Sequence, residues 1–217
     1  MKILFIGNSH TYYNSMPKIV MDIFAQTGKN IHATMLCEGG KGLIYHCNRK
    51  DTRFNIKHGN YDYVVLQDKA TDFNEEEFLE GGRTIQDKYL SQTTSKPILY
   101  MIWARQAEPE NQARITEAHK ILASEIGAKI APAGEVWHKI LREHPDIALY
   151  REDGNHATPL GSYLAAVVLF YTISGRRRPI KLNENGEPNT RLGIDIDLCR
   201  LIHKEACEMC KAFNIDK

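Results

Sequence analysis

Three residues carry the side chains that nucleophilic catalysis needs: Ser9 near the start of the chain, and Asp153 and His156 much later. A serine hydroxyl attacks well only when a neighbouring base takes its proton. Asp153 and His156 are three positions apart, so the carboxylate can accept from one imidazole nitrogen and leave the other free for Ser9. Each residue alone also fits an ordinary role, Ser9 in a turn and Asp153 as a helix cap. Together they indicate acyl transfer through Ser9, with His156 as the base and Asp153 orienting it.

The elements that must position these residues follow from the hydrophobic pattern. Short apolar runs predict five strands, at residues 2–6, 31–36, 63–66, 97–103 and 128–131. Helical spacing predicts helices between and after them, among them residues 74–90, 109–126, 135–142, 158–174 and 194–212. Strands that alternate with helices predict an α/β fold, with a mostly parallel five-stranded sheet covered by helices on both faces.

The connecting segments allow further predictions. Ser15 precedes Met-Pro and is expected to cap a helix. Residues 45–60 are polar and irregular, and residues 183–193 are rich in Asn, Gly and Pro, so both are expected to be loops. One domain (1–217) is expected, with its core at about 1–175 and a C-terminal loop and helix at 176–217.

Polar or glycine residues follow the first three predicted strands, where an α/β sheet binds its ligands. Ser9 follows the first strand, Gly40 the second and Gln67 the third. A glycine lets its backbone N–H approach a ligand closely, and a side-chain amide can donate to a developing oxyanion. Each of these residues alone is more typical of a plain turn than of a site, and their meeting at one sheet edge is what points to a site.

The set resembles the SGNH (GDSL-like) hydrolase superfamily. Gly-Asn-Ser at residues 7–9, after an apolar strand, matches the first family block, and Asp-Gly-Asn-His at residues 153–156 matches the last. Glu-Gly-Gly at residues 38–40 resembles the second block. The resemblance spans residues 2 to about 170 and is closest to bacterial members with Gly-Asn-Ser at the start and Val-Val-Leu-Gln after strand three. It implies a flavodoxin-like three-layer α/β/α sandwich of the SGNH-hydrolase type.

The resemblance also implies an oxyanion hole formed by the backbone N–H groups of Ser9 and Gly40 and by a side chain of the third block. The family usually has an Asn there, and this sequence has none. Gln67 is the candidate by analogy with carbohydrate-esterase members that carry a His-Gln-Gly-Glu block. An ungapped alignment instead puts Thr71 at the Asn position, so both assignments stay open.

The activity implied is that of a serine ester hydrolase, an esterase or O-acetylesterase that acts on a small-molecule ester such as an acylated carbohydrate and needs no cofactor or metal. Five residues near the predicted site could line the substrate pocket: Asn8, His10, His46, Trp103 and Arg105. His10 adjoins Ser9 and is an alternative base. Because the third block is unusual, the chain could instead be a non-catalytic carbohydrate-binding relative with a degraded oxyanion hole.

Composition argues against other classes of function. The formal net charge is +1, which provides no broad field for nucleic acid. The longest apolar stretch, residues 160–173, falls short of the roughly 20 residues that span a bilayer, so no membrane partner is expected. The oligomeric state is left open by the sequence.

The five cysteines are odd in number and irregularly spaced, which favours reduced thiols over a disulfide framework. With no leader pattern at residue 1, a cytoplasmic location is expected. Near the end of the chain, four residues share one predicted helical face: Cys199, His203, Cys207 and Cys210. Four collinear side chains cannot surround a tetrahedral metal ion, so we expect them to pack in the core.

Overall fold

The computed structural model describes residues 1–182 and 192–214 and contains the predicted five-stranded sheet. The strands are β1 (Lys2–Gly7), β2 (His32–Cys37), β3 (Tyr63–Leu66), β4 (Lys96–Tyr100) and β5 (Lys129–Ala131). All neighbouring strands are parallel, in the order β2-β1-β3-β4-β5. The α/β sandwich predicted from the alternation of strands and helices is confirmed.

Nine α-helices lie in the described residues: α1 (Ser9–Tyr12), α2 (Met16–Gln26), α3 (Leu43–His46), α4 (Lys50–His58), α5 (Glu75–Lys88), α6 (Asn111–Ile126), α7 (Ala133–Glu143), α8 (Pro159–Ser174) and α9 (Ile196–Phe213). Alternate residues of β1 explain why both faces of the sheet are covered. Ile3 and Phe5 belong to the hydrophobic cluster formed with α2, α7, α8 and α9, whereas Leu4 and Ile6 belong to the cluster formed with α3, α4, α5 and α6. A strand buried on both faces has apolar residues at every position, which is the pattern seen in β1.

Helix α8 is apolar on all sides because it lies between the sheet and α9. The hydroxyl of Thr158 caps it by accepting from the N–H of Gly161 at 3.1 Å, and Gly175 ends it with a φ of 65°. This cap leaves the preceding residues, Asp153 and His156 among them, free for other contacts. Within the described residues, no helix combines the length and apolarity that crossing a membrane requires.

Two predictions about connecting segments are wrong. Residues 45–60 are largely helical, as α3 and α4, because Thr52 and Ile56 form a buried stripe and Asp51 lies in the favourable first turn. Ser15 makes no side-chain cap and has a φ of 52°, since a 3-10 turn at Tyr13–Ser15 leads into α2. Of the predicted loop at 183–193, residues 183–191 lie outside the described residues.

Candidate active site

The turn after β1 presents Ser9 at the carboxyl edge of the sheet. Asn8 caps α1, and its Oδ1 accepts from the N–H of His10 at 3.1 Å. Gly7 has no room for a side chain, since a Cβ there would lie 2.3 Å from Oε1 of Gln67. The close packing beneath the turn fixes the direction in which Ser9 leaves the strand.

Ser9 meets the two distant residues that the sequence predicted as its partners. Its Oγ lies 2.8 Å from Nε2 of His156. The Nδ1–H of the same imidazole donates to Oδ2 of Asp153 at 2.6 Å. The structure therefore joins hydroxyl, imidazole and carboxylate in one chain of hydrogen bonds, the arrangement that lets an imidazole take a serine proton.

The carboxylate of Asp153 is fixed by its own loop. Its Oδ1 accepts from the backbone N–H groups of Asn155 and His156, at 3.0 and 2.9 Å. Burial raises the pKa of Asp153, but the hydrogen bonds from the His156 ring and from these two N–H groups outweigh it, so the pKa lies well below its usual range. Asp153 is therefore ionised at neutral pH and can stabilise a positive charge on His156.

The loop that carries His156 is supported by the segment that follows β4. The indole N–H of Trp103 donates to the carbonyl of Asn155 at 2.9 Å, and Trp103 stacks on Trp137 with ring centroids 3.8 Å apart. The N–H of Gln106 donates to the carbonyl of Gly154 at 2.8 Å. Trp103 was predicted as a pocket-lining residue, but it is buried and holds the base loop from behind.

Two aromatic rings from the segment after Ser9 pack against the imidazole of His156. The Tyr13 ring centroid lies 4.4 Å away at 30° between planes, and the His10 centroid lies 5.2 Å away at 22°. Burial, and to a smaller extent the nearby His156, lower the pKa of His10 to about 3. His10 is thus a neutral packing partner. The histidine that is hydrogen-bonded to Ser9 is His156, so His156 rather than His10 can act as a base on Ser9.

A cavity of about 320 Å³ opens onto Ser9 and His156. The other lining residues are Asn8, His10, Gly40, Asn155 and the segment 69–72. Most of these groups are polar, and Ala70 is the apolar side chain among them. The volume is that of a small ligand rather than of a long hydrocarbon chain.

The glycine turn after β2 borders the same cavity. Gly40 has a φ of 70°, and the N–H of Lys41 closes the turn on the carbonyl of Glu38 at 3.2 Å. The side-chain amide of Asn8 donates to the carbonyl of Lys41 at 3.0 Å and so ties this turn to the Ser9 turn. Neither the Ser9 N–H nor the Gly40 N–H has an acceptor within residues 1–182 and 192–214, so both can donate to a ligand.

The structure places Gln67 away from the cavity, against the prediction that it donates to an oxyanion. Its side chain is fully buried, and its amide group donates to Oδ1 of Asn8 at 3.0 Å and to the carbonyl of Asp68. Its Oε1 accepts from the N–H of Asn8 at 2.9 Å and from the hydroxyl of Thr11 at 2.8 Å. Gln67 thus supports the Ser9 turn from below.

Thr71, the other residue considered for the third block, lines the cavity. Its hydroxyl makes one long hydrogen bond, 3.5 Å to Oδ1 of Asn155. A bond of that length is weak, so the hydroxyl can turn towards a ligand.

Two further pocket-lining predictions are corrected by the structure. The Nε2–H of His46 donates to the carbonyl of Gly7 at 2.8 Å, and His46 borders a separate pocket beside β2. Arg105 forms an ion pair with Glu108 at 3.7 Å. Both residues follow strand ends or turns as predicted, but His46 is directed by a contact 39 positions away along the chain and Arg105 by a local ion pair three positions on.

Among the residues that sequence reasoning missed are Tyr13 and Asn14, which touch His156 or the loop that carries it. Tyr13 packs on His156, and the amide of Asn14 donates to the carbonyl of Ala157 and the hydroxyl of Ser162. Their partners lie more than 140 positions away along the chain, since Asn14 and Ala157 are separated by 143 positions. The sequence signal was limited to an Asn in a turn, since asparagine tolerates the left-handed backbone region better than most residues.

Comparison with solved structures shows the fold. A DUF4886 family protein from Bacteroides uniformis has a TM-score of 0.68 and 17% identity, covering 100% of this chain and 96% of that chain. The esterase EstA from Pseudoalteromonas has a TM-score of 0.60 and 12% identity, covering 80% and 97%. A mutant of Axe2, an acetyl-xylooligosaccharide esterase from Geobacillus, has a TM-score of 0.54 and 15% identity, covering 78% and 90%.

At the level of sequence, no protein-family model and no curated protein matches the chain. The structural likeness extends over most of each compared protein, and the parallel five-stranded sheet agrees with the fold that the sequence predicted. The chain therefore has the SGNH (GDSL-like) hydrolase fold.

Proposed function

We propose that the protein is a serine ester hydrolase that works through an acyl-enzyme on Ser9. The observation that carries this proposal is the chain of hydrogen bonds from Ser9 through His156 to Asp153, which opens onto a polar cavity. The fold supports it, because EstA and Axe2 are esterases on the same scaffold.

Acylation begins when Nε2 of His156 takes the hydroxyl proton as Oγ of Ser9 attacks the ester carbonyl carbon. The carbonyl electron pair moves to oxygen, and its return expels the alcohol, which leaves with the proton from His156. Water then attacks the acyl-serine with His156 again as base, releasing the acid and restoring the Ser9 hydroxyl. Asp153 orients the imidazole and offsets its positive charge in both steps.

The oxyanion is held, in this proposal, by the N–H groups of Ser9 and Gly40, and by the hydroxyl of Thr71 as third donor. Donors that point at the developing charge before the reaction contribute most of such catalysis. We expect Thr71→Val to lower kcat by about 10-fold or more, whereas Thr71→Ser keeps the hydroxyl and stays within about threefold of wild type. Equal rates for the Val and Ser variants would remove Thr71 from the oxyanion hole.

The substrate class follows from the cavity. Its modest volume and polar lining favour a small acyl group on a polar alcohol, such as the O-acetyl group of a carbohydrate. The neighbour Axe2 acts on acetylated xylooligosaccharides, which is one alcohol of that kind.

An acyl-chain series of p-nitrophenyl esters, run on wild type and Ser9→Ala, tests the proposal. We expect kcat/KM to be highest for acetate and to fall for octanoate, and Ser9→Ala to lose about 10³-fold or more at every length. Ser15→Gly, a substitution of an exposed residue six positions away, is the matched control, because it shows whether a serine substitution in this segment impairs folding or activity in general. If Ser9→Ala hydrolyses acetate as fast as wild type, the proposal is wrong, and the carbohydrate-binding alternative is then tested by titration with acetylated oligosaccharide.

A further inference from the structure

One short segment connects the nucleophile to the loop that carries the base. Residues 9–14 contain Ser9 itself, the His10 and Tyr13 rings that pack on His156, and Asn14. Of these contacts with the base loop, the ones made by Asn14 are directional hydrogen bonds. Its amide nitrogen donates to the carbonyl of Ala157 at 3.1 Å and to Oγ of Ser162 at 2.9 Å.

The acceptors of Asn14 are placed where they fix the position of the base. Ala157 directly follows His156, and Ser162 lies in the first turn of α8, which the base loop enters. Both acceptor residues are buried, at 2% exposure each, and therefore belong to the rigid part of the molecule. The two bonds thus join the segment 9–14 to both ends of the stretch 157–162, which leads from His156 into α8.

The backbone at Asn14 is held in an unusual conformation to make these bonds. Asn14 has a φ of 51° and the next residue, Ser15, has a φ of 52°. Left-handed backbone is unfavourable for residues other than glycine, and asparagine tolerates it best among them. Non-glycine residues in this region gather at functional sites, where surrounding contacts maintain them.

We propose that Asn14 is a positioning residue that sets the separation of Ser9 Oγ from His156 Nε2. This inference rests on the proposed function, since it assigns Asn14 an effect on the reaction of Ser9. Asn14 touches the loop of the base and acts through it. A misplacement of about 1 Å between reacting groups can cost about 100-fold in rate, so a lost tether should appear in kcat.

Two substitutions distinguish the effect of the Asn14 side-chain amide from the effect of the left-handed backbone at this position. Asn14→Gly allows a φ of 51° and removes the donor, and Asn14→Asp keeps the size but puts a carboxylate oxygen against the carbonyl of Ala157. Ser15→Gly is the matched control, because it changes the neighbouring left-handed residue and leaves the Asn14 amide in place. For each variant the midpoint temperature of thermal unfolding is measured first, and the kinetics are then measured at a temperature well below that midpoint.

With p-nitrophenyl acetate, we expect both Asn14 variants to lose about 10- to 100-fold in kcat with KM within about threefold, and Ser15→Gly to match wild type. A purely stabilising role of Asn14 would lower the unfolding midpoint and leave kcat of the folded protein unchanged, which would overturn the inference. An equal loss in Ser15→Gly would also overturn it, because the backbone rather than the amide would then be responsible.

A crystal structure of Asn14→Gly separates this inference from the proposed function. We expect the distance from Ser9 Oγ to His156 Nε2 to exceed about 3.5 Å, beyond a hydrogen bond. If it stays at the present 2.8 Å, Asn14 does not set the separation, whatever the wild-type activity is. If the distance lengthens while wild type shows no Ser9-dependent hydrolysis, the positioning role stands and the esterase proposal fails.

Discussion

Two histidines in the described part of the chain are hydrogen-bonded to hydroxyl groups, and they differ in their other partners and in their exposure. His156 bonds Ser9 and the carboxylate of Asp153, and its side chain is 20% exposed beside a cavity. His203 lies 2.9 Å from the hydroxyls of both Tyr163 and Tyr171 and is 1% exposed.

The surroundings of His203 look reactive in the sequence, because three cysteines share its helix. In the structure Cys199, Cys207 and Cys210 belong to the hydrophobic core between α8 and α9, so the core-packing prediction is confirmed. Burial lowers the pKa of His203 to about 3 and raises the pKa of Cys210 to about 12, which keeps both groups neutral. A hydroxyl partner therefore does not make a histidine a base, and a carboxylate and an open cavity are what distinguish His156.

The strongest test of this contrast replaces each histidine by glutamine. His156→Gln removes the proton acceptor of Ser9, so kcat/KM should fall by about 10³-fold. His203→Gln leaves one of two buried hydroxyls without its partner, which should lower the free energy of unfolding by about 1–3 kcal/mol and leave kcat/KM within about threefold. Ester hydrolysis and urea unfolding of both variants measure the two effects.

The assignment of different roles to the two histidines is wrong if His203→Gln loses activity and His156→Gln loses only stability. A His203→Gln protein that is stable but inactive would place the reaction near His203 and the cysteines of α9. A His156→Gln protein with wild-type turnover would leave Ser9 without a general base.

A smaller effect concerns pH. His10, His119 and His203 have pKa values lowered by burial, to about 3, about 4 and about 3, from 6.5. As pH falls below 6.5, these histidines bind protons in the unfolded chain but stay neutral in the folded protein. The free energy of unfolding should therefore fall as the pH is lowered. The loss continues until the folded pKa values are reached.

The measurement is urea unfolding of wild type and His203→Gln at pH 7, 6 and 5. Removing His203 should flatten the decline by up to about 1.4 kcal/mol per pH unit. Parallel declines in the two proteins would mean that His203 is not protected from protonation. Asp153 does not disturb this window, since its pKa is lowered from 3.8, and its contribution is present above pH 3.8 and lost below.

Much of the fold was predictable because local patterns determine it. The apolar run of β1 and the Thr158 and Gly175 signals around α8 correspond to elements that the structure contains. Residues 45–60 were misjudged because α4 is polar apart from a narrow buried stripe, so its helical period is faint. The left-handed Ser15 was misjudged because a Ser-Met-Pro sequence is equally typical of a normal helix start.

The candidate site divides in the same way. Ser9, Gly40 and His156 follow strand or turn ends, so topology alone brings them to one edge of the sheet. Gln67 follows a strand end too, but its amide turns inward to Asn8, a choice made by tertiary hydrogen bonds. The contacts of Asn14 are equally beyond the reach of sequence spacing.

Covalent labelling tests directly whether Ser9 is a nucleophile. EstA, which shares this fold, has been inhibited by monoethylphosphonate. Treatment with an ethyl p-nitrophenyl alkylphosphonate, from which Oγ of Ser9 would displace p-nitrophenolate, followed by peptide mass spectrometry, should find one adduct on Ser9, formed in step with loss of ester hydrolysis and strongly slowed in His156→Gln. An unlabelled Ser9, or full activity in fully labelled protein, would contradict the account.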